Sequence, residues 1–408
     1  MNASSKGPLA GIRVADFTWI GAGSYTTKLL ADFGADVIKV ESSTHMDTLR
    51  STPPFKDGIK GIERSGYFAD RNTSKRGMRL NLKHPQGLEI AKRLIACSDV
   101  VANNFRPGVM DRLGLGYAAA QALRPDIVYL AMSMQGGTGP HTKYVGFGLT
   151  IGALAGIHYS SGPSDRPPAG TSTNYPDHVP NPAHAAFAVL AALNYRRRTG
   201  CGQYIDLAQT EPTVALLGTA IVDYAVNGRI AERHGNSHPV WAPHGVYPCL
   251  GDDRWIAVAV QDDAQWGRLA DALALEPTRR AAWAHSEARE TQRLTIDEWL
   301  TSETRLREPF DLMRQLQEAG VPAGVVQNAG DLIERDPQLA HRQHWQYLDH
   351  PEMGRSIYNN VPIKLSRTPG QLSRPAPMLG QHTEEICTSL LGLTTDEVAR
   401  FAADKVFE

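Results

Sequence analysis

The strongest constraint on this chain is an alternation near its start. Between Gly11 and Ser133, short runs rich in β-branched residues alternate with helix-patterned stretches, which is how parallel βαβ units read. Ile12 to Phe17 reads as a strand, Ser24 to Phe33 as a helix stopped by Gly34, and Asp36 to Glu41 as the next strand, completing one crossover. Arg79 to Lys83, Asp99 to Phe105 and Ile127 to Ser133 supply further strands, and Pro85 is placed for the first turn of a helix over Leu88 to Ala96. The expected fold is doubly wound α/β.

The texture changes downstream. From Gly136 to Pro182 the chain is rich in Gly and Pro apart from one apolar segment, Phe147 to Ile157, and reads as loops around a short helix. Ala183 to Arg197 is an apolar helix that turns basic at its end and is stopped by Thr199-Gly-Cys-Gly202. Gln203 to Ala208 reads as a strand and Pro212 to Asn227 as a helix leaving the first unit. At roughly 150 residues per domain, the length of 408 residues leaves room for such a second unit. We expect the first part of a large domain over 1–205, a linker helix over 206–228, a smaller α+β domain over 229–320, and a return from Val321 over 321–408 with a helix at Thr383 to Leu391.

Totals exclude several function classes. Lys plus Arg is 42 and Asp plus Glu 43, a net charge of −1, so no basic field exists to grip nucleic acid or an anionic membrane. The longest apolar run, Ala185 to Leu193, is nine residues, about half of the ~20 that span a bilayer. Met1 to Gly7 holds one Lys and no apolar stretch, so no secretory signal is read and a cytoplasmic location is expected. Cys97, Cys201, Cys249 and Cys387 are widely spaced, which predicts free thiols and no structural metal.

Two local features carry chemistry. Arg50, Arg71, Lys75, Arg76, Arg106 and Arg112 cluster around loops of the first unit, where basic residues suit a phosphorylated ligand, although each also suits an ordinary surface charge. Gly21-Ala-Gly23 lacks the third Gly of a dinucleotide fingerprint. Asn174-Tyr-Pro-Asp-His178 precedes the apolar helix; Asp177 there reads either as a helix cap or as a poorly hydrated carboxylate nucleophile. His178 and His184 do not share a helix face. No Gly-x-Ser-x-Gly elbow occurs.

Longer segments carry a resemblance. Pro8-Leu-Ala-Gly-Ile-Arg-Val-Ala-Asp-Phe-Thr18, Leu29 to Glu41, Asn103-Asn-Phe-Arg-Pro-Gly108, Arg197-Arg-Thr-Gly-Cys-Gly-Gln203, Ala319-Gly-Val-Pro-Ala-Gly324 and Pro377-Met-Leu-Gly-Gln-His382 resemble class III coenzyme A transferases, the CaiB/BaiF family, nearly end to end. The resemblance implies a Rossmann-like large domain completed by the C-terminal segment, a small domain, and two chains interlocked by threading each other. It implies transfer of CoA between an acyl-CoA and a carboxylic acid, with no permanently bound cofactor and CoA thioesters as substrates.

Carried over residue by residue, Asp177 matches the family's nucleophile, which passes through a mixed anhydride and an aspartyl-CoA thioester. Arg50, Lys75 and Arg112 match positions that bind the CoA phosphates. Thr73, Asn104 and Phe105 lie where the family holds the adenosine, and Ile20 joins the CoA-binding positions. The chain departs from formyl- and oxalyl-type members at Gly21, where they carry Gln, and at Ser237 to Ala242, where they carry a glycine run. Trp19, Trp241 and His238 are the candidates to shield the intermediate instead.

Asn174 to Pro182 is similar to subunits of the succinyl-CoA:(R)-benzylsuccinate type from anaerobic toluene degradation, which implies succinyl-CoA as donor and either a homodimer or a heteromer with a related subunit. Two alternatives stand beside this reading. One is a non-catalytic partner subunit. The other is an α-methylacyl-CoA racemase, weakened because Gly146-Phe-Gly-Leu-Thr150 lacks that group's His-Asp pair.

Overall fold

A computed structural model describes residues 7–408. β1 (Arg13–Asp16), β2 (Asp36–Glu41), β3 (Arg76–Arg79), β4 (Val100–Asn103), β5 (Val128–Ala131) and β6 (Gln203–Asp206) form one sheet in the order β3-β2-β1-β4-β5-β6. Every pairing in it is parallel. The order reverses between β1 and β4, so the connections after these two strands leave in opposite directions and open a crevice at the strands' carboxyl ends.

Both faces of the sheet are covered, as the β-branched strands require. On one face Ile38, Val40, Met78, Val101 and Tyr129 pack with Leu94 of the Pro85–Ala96 helix and with Ile386, Phe401 and Phe407 near the C-terminus. On the other, Val14, Val37, Val100 and Leu130 meet Leu30 of the Ile20–Asp32 helix and Val189 and Leu193 of the Pro180–Thr199 helix. The C-terminal segment thus adds helical cover to the large unit and no strand to its sheet. It also closes an edge. The N–H groups of Gly77 and Arg79 on β3 donate to His382 Nδ1 at 3.1 Å and Thr383 Oγ1 at 2.9 Å, and the His382 N–H donates to the Gly77 carbonyl at 2.9 Å. An open edge strand invites pairing with another chain, and these contacts remove that possibility at β3.

Several expected elements shift. The strand read at Arg79 to Lys83 ends at Arg79, because the Asn81 side chain accepts the Lys83 N–H at 3.0 Å and its carbonyl accepts the His84 N–H, turning the chain into the helix that Pro85 begins. The helix expected over Pro212 to Asn227 is broken at Leu216 and Leu217 into Thr210–Ala215 and Gly218–Asn227. The C-terminal helix read at Thr383 to Leu391 is a short turn, Thr383–Glu385, continuing into a wider π-type segment over Ile386–Leu390.

The chain divides into two compact units. One holds the sheet and comprises the described residues up to His158, then Gly170–Gly228 and His341–Glu408. Within it, the hairpin of strands at Trp345–His350 and Gly354–Asn359 packs Tyr358 with Leu49 and Phe68. The other comprises Tyr159–Ala169 and Arg229–Ala340. In this second unit β7 (His244–Pro248), β8 (Trp255–Ala259) and β9 (Ala323–Val325) form an antiparallel sheet. Trp266 packs there edge-on to Trp283 and Trp299, with ring centroids 5.9 and 6.0 Å apart. The expected return at Val321 is corrected by β9: Ala323 to Val325 pair with β8, so this stretch stays in the second unit. Among the described residues all four cysteines are free and no helix is long and apolar enough to cross a membrane.

Candidate active site

A cavity of about 870 Å³ opens where β1 to β5 end, lined by Phe17, Ser42, Leu80, Asn104 and Ser133, the residues that follow those strands. Its size suits a small-molecule ligand. Asp177 stands on its wall.

Local sequence explains how Asp177 is held. Tyr175–His178 forms a single helical turn with Pro176 in it, and Val179, at φ −123° and ψ −75°, separates that turn from the Pro180–Thr199 helix. Asp177 therefore does not cap the long helix. Its Oδ2 accepts the Gly148 N–H at 3.0 Å, and the side chain is 3 % exposed. Burial pushes its carboxyl up to about 6, against the pull of that single N–H. It is an ionised carboxylate at neutral pH with little hydration.

Two glycines make room for it. A Cβ on Gly148 would come 2.7 Å from Asn174 Cβ and 3.0 Å from Asp177 Cγ; one on Gly21 would come 3.0 Å from Asp177 Cβ, 3.1 Å from His178 Cε1 and 3.3 Å from Tyr67 Oη. Behind the carboxylate, Tyr67 Oη and His178 Nε2 are 2.9 Å apart. Burial, with Arg71 adding to it, pulls the His178 imidazole down to about 4, so the ring is neutral at neutral pH. His184 Nδ1 lies 2.7 Å from the Pro180 carbonyl and plays no part at the wall.

Ile20, Asn104, Phe105 and Arg112 also line the cavity. Asn104 donates to the Trp19 carbonyl at 2.7 Å and accepts the Trp19 N–H at 2.8 Å, while Phe105 meets the Trp19 ring edge-on at 5.4 Å. Ile20, a β-branched residue, takes φ 61° and donates its N–H to Asp47 Oδ1 at 3.0 Å. A left-handed Ile is strained by about 1–3 kcal/mol, and such strain clusters at functional walls. Arg112 is exposed, as are Arg106 and Lys83 on the same cavity.

The other three residues expected at the ligand lie off this wall. Arg50 is fully buried: its Nε and Nη2 donate to Glu41 at 2.9 and 2.8 Å, its Nη1 to Glu63 at 2.6 Å, and Phe68 covers the guanidinium at 3.7 Å. Lys75 is fully buried and donates to Asp16, the Ser24 carbonyl, Thr27 and Asn72 at 2.7–3.1 Å. Burial alone would push the Asp16 carboxyl up, but Lys75 and Lys39 hold it below the usual range. Thr73 accepts from Lys28 at 2.7 Å and donates to Asp32 at 3.1 Å. Lys75 and Thr73 brace the Ile20–Asp32 helix, Arg50 ties the loop after β2 to Glu41 and Glu63, and none is on the cavity wall.

Of the candidate shielding groups, Trp19 is on the wall, whereas His238 and Trp241 belong to the second unit, stacked on each other at 4.0 Å. Sequence reasoning missed Gly148, Tyr67, Lys83 and Gln209. Only Lys83 carried a signal, its charge at the end of an expected strand.

Comparison with known proteins agrees on one grouping. The family model described as "CoA-transferase family III" matches residues 9–383. The succinyl-CoA–D-citramalate CoA-transferase of Chloroflexus aurantiacus is 34 % identical over 98 % of each chain. The β subunit of that organism's succinyl-CoA–L-malate CoA-transferase is 32 % identical, again over 98 % of each. A crystal structure of a CaiB/BaiF family protein from Brucella suis superposes with a TM-score of 0.87 at 30 % identity, covering 94 % of this chain and 100 % of that one.

Proposed function

The chain belongs to CoA-transferase family III, and on that premise we propose that Asp177 carries CoA from an acyl-CoA donor to a free carboxylic acid. One observation supports this reading above the others: a buried, ionised, poorly hydrated carboxylate stands on the wall of a cavity at the carboxyl ends of the sheet.

The chemistry follows from that carboxylate. An Asp177 oxygen attacks the thioester carbonyl carbon; the C–O bond forms, the C–S bond breaks, and CoA leaves as thiolate. The thiolate then attacks the side-chain carbonyl carbon of Asp177, displacing the donor acid and leaving an aspartyl-CoA thioester. The acceptor carboxylate repeats the two steps in reverse order and regenerates Asp177. Activated acyl groups are exchanged throughout, so no permanently bound cofactor is required, and the site's task is to orient the groups and keep water away. The Gly148 N–H holds the nucleophile in place, and the neutral His178–Tyr67 pair stands beside it. The exposed cations Lys83, Arg106 and Arg112 serve the CoA phosphates, and Trp19, Phe105 and Ile20 its apolar surroundings.

The donor is succinyl-CoA, the donor in the names of both relatives above. The acceptor is an organic acid, with (R)-benzylsuccinate the candidate from the Asn174 to Pro182 segment. The protein works in the cytoplasm as an interlocked dimer, of identical chains or with a related subunit. The Gly218–Asn227 helix supports that association: it buries none of its residues, and its Val226 is 73 % exposed, an apolar surface of the kind another chain covers. The alternative of a non-catalytic partner draws on the relative named as a β subunit.

Intact-mass measurement after incubation with succinyl-CoA tests the reading. A CoA-sized mass increase, absent in Asp177→Ala, is expected; a purified chain that gains none is a scaffold. The pH profile gives a second check. With the Asp177 carboxyl at about 6, kcat/KM is expected to be flat above pH 7 and to fall about tenfold per unit below 6. A profile breaking near pH 4 would show a well-hydrated carboxylate instead.

A further inference from the structure

Ser133 follows β5 at its carboxyl end and stands on the wall of the Asp177 cavity. It is 7 % exposed, yet its Oγ has no hydrogen-bond partner. Among the described residues it is the one buried, unpartnered side-chain polar atom on that wall. Buried hydroxyls are paired as a rule, and an exception at a cavity points to a partner that arrives with the ligand.

No protein group in the structure takes up this hydroxyl. The nearby Gln209 side chain is committed elsewhere: its Nε2 donates to the Met132 carbonyl at 2.7 Å and its Oε1 accepts from Asn181 at 3.4 Å. The same contacts tie Ser133 to the nucleophile. The Gln209 N–H donates to the Ser133 carbonyl at 3.0 Å, Asn181 holds the Gln209 side chain, and Asn181 stands in the first turn of the Pro180–Thr199 helix, just past the turn that carries Asp177. The end of β5 and the start of the helix that follows the Asp177 turn are thus joined through Gln209.

We propose that Ser133 is a catalytic residue whose hydroxyl donates a hydrogen bond to the carbonyl oxygen of the acyl group being transferred on Asp177. The inference rests on the CoA-transfer reading above. That oxygen gains negative charge when the Asp177 carboxylate adds to the carbonyl carbon, so a donor already in place is worth more there than in the ground state. The hydroxyl supplies the donor without taking part in bond making. It keeps its own proton, and the electron pair returns to the C=O bond as the thiolate leaves.

Ser133→Ala and Ser133→Cys test it, with steady-state kinetics, the rate of the CoA-sized mass increase in a single turnover, and thermal melting. The Ala variant is expected to lose roughly ten- to a hundredfold in kcat and in the adduct rate. KM for the CoA thioester should stay within about twofold and melting should be unchanged, since no folded-state bond is lost. The Cys variant, with its weak donor, should fall between. An Ala variant that transfers CoA at the wild-type rate, or one in which only KM rises, overturns the proposal while wild-type adduct formation leaves the Asp177 reading standing. A wild-type chain that forms no adduct overturns both. If the Ala variant melts early, the Cys variant decides by its kcat.

Discussion

Asp177→Asn is expected to abolish CoA transfer, by at least about 10³-fold, and to make the protein more stable at neutral pH. The two effects have one origin. Burial raises this carboxyl from its ordinary 3.8 to about 6, so the folded state favours the protonated form and keeping the charge at pH 7 costs about 3 kcal/mol. The sign fixes the pH window. Relative to the neutral form, nothing is lost below about pH 4; the cost grows between pH 4 and 6 and is constant above. Asparagine carries no charge and its carbonyl still accepts from Gly148, so the variant should melt several degrees higher at pH 7 and level with the wild type near pH 4. A variant that melts at or below the wild type at pH 7 would mean that the carboxylate is not dry, and the nucleophile would lose its main source of reactivity.

Arg50→Met separates the structural role of that residue from the ligand role the family resemblance implied. Removing the guanidinium strands Glu41, which has no other cation paired with it among the described residues, and withdraws the partner of Glu63. Breaking a buried pair by deleting one member costs about 3–5 kcal/mol, and the Pro377 carbonyl loses a donor at 3.1 Å as well. The urea midpoint should fall accordingly, while KM for the CoA thioester, measured on protein still folded, changes by less than about threefold. A tenfold rise in KM with an unchanged midpoint would return Arg50 to the phosphates and show that the buried pair opens when ligand enters.

What could be read from the sequence follows from how far each interaction reaches along the chain. β2 was legible to the residue because its pattern is local, Asp36 to Glu41 between Gly34 and a polar stretch. Pro85 marked its helix start for the same reason. Asp177 was visible through its motif, but its surroundings were not: Gly148, which donates to it, and Tyr67, which meets its neighbour His178, lie far from it in sequence and come to it only in the folded chain. Arg50 and Lys75 show the converse. Their charge is plain in the sequence, while Glu41, Glu63 and Asp16, which neutralise them, cannot be matched to them from spacing. A basic residue beside a strand thus reads as a ligand group until its acid is found. The return placed at Val321 failed similarly, since a three-residue strand has no pattern of its own and is defined by β8.

The sealing of β3 by His382 and Thr383 has a consequence for biosynthesis. The first two βαβ crossovers emerge from the ribosome roughly three hundred residues before the groups that cap their outer margin, so a nascent chain carries a bare β ribbon for most of its translation. At about 5–20 residues per second that interval lasts tens of seconds, during which chaperones, or a neighbouring nascent chain on the same message, are the available cover.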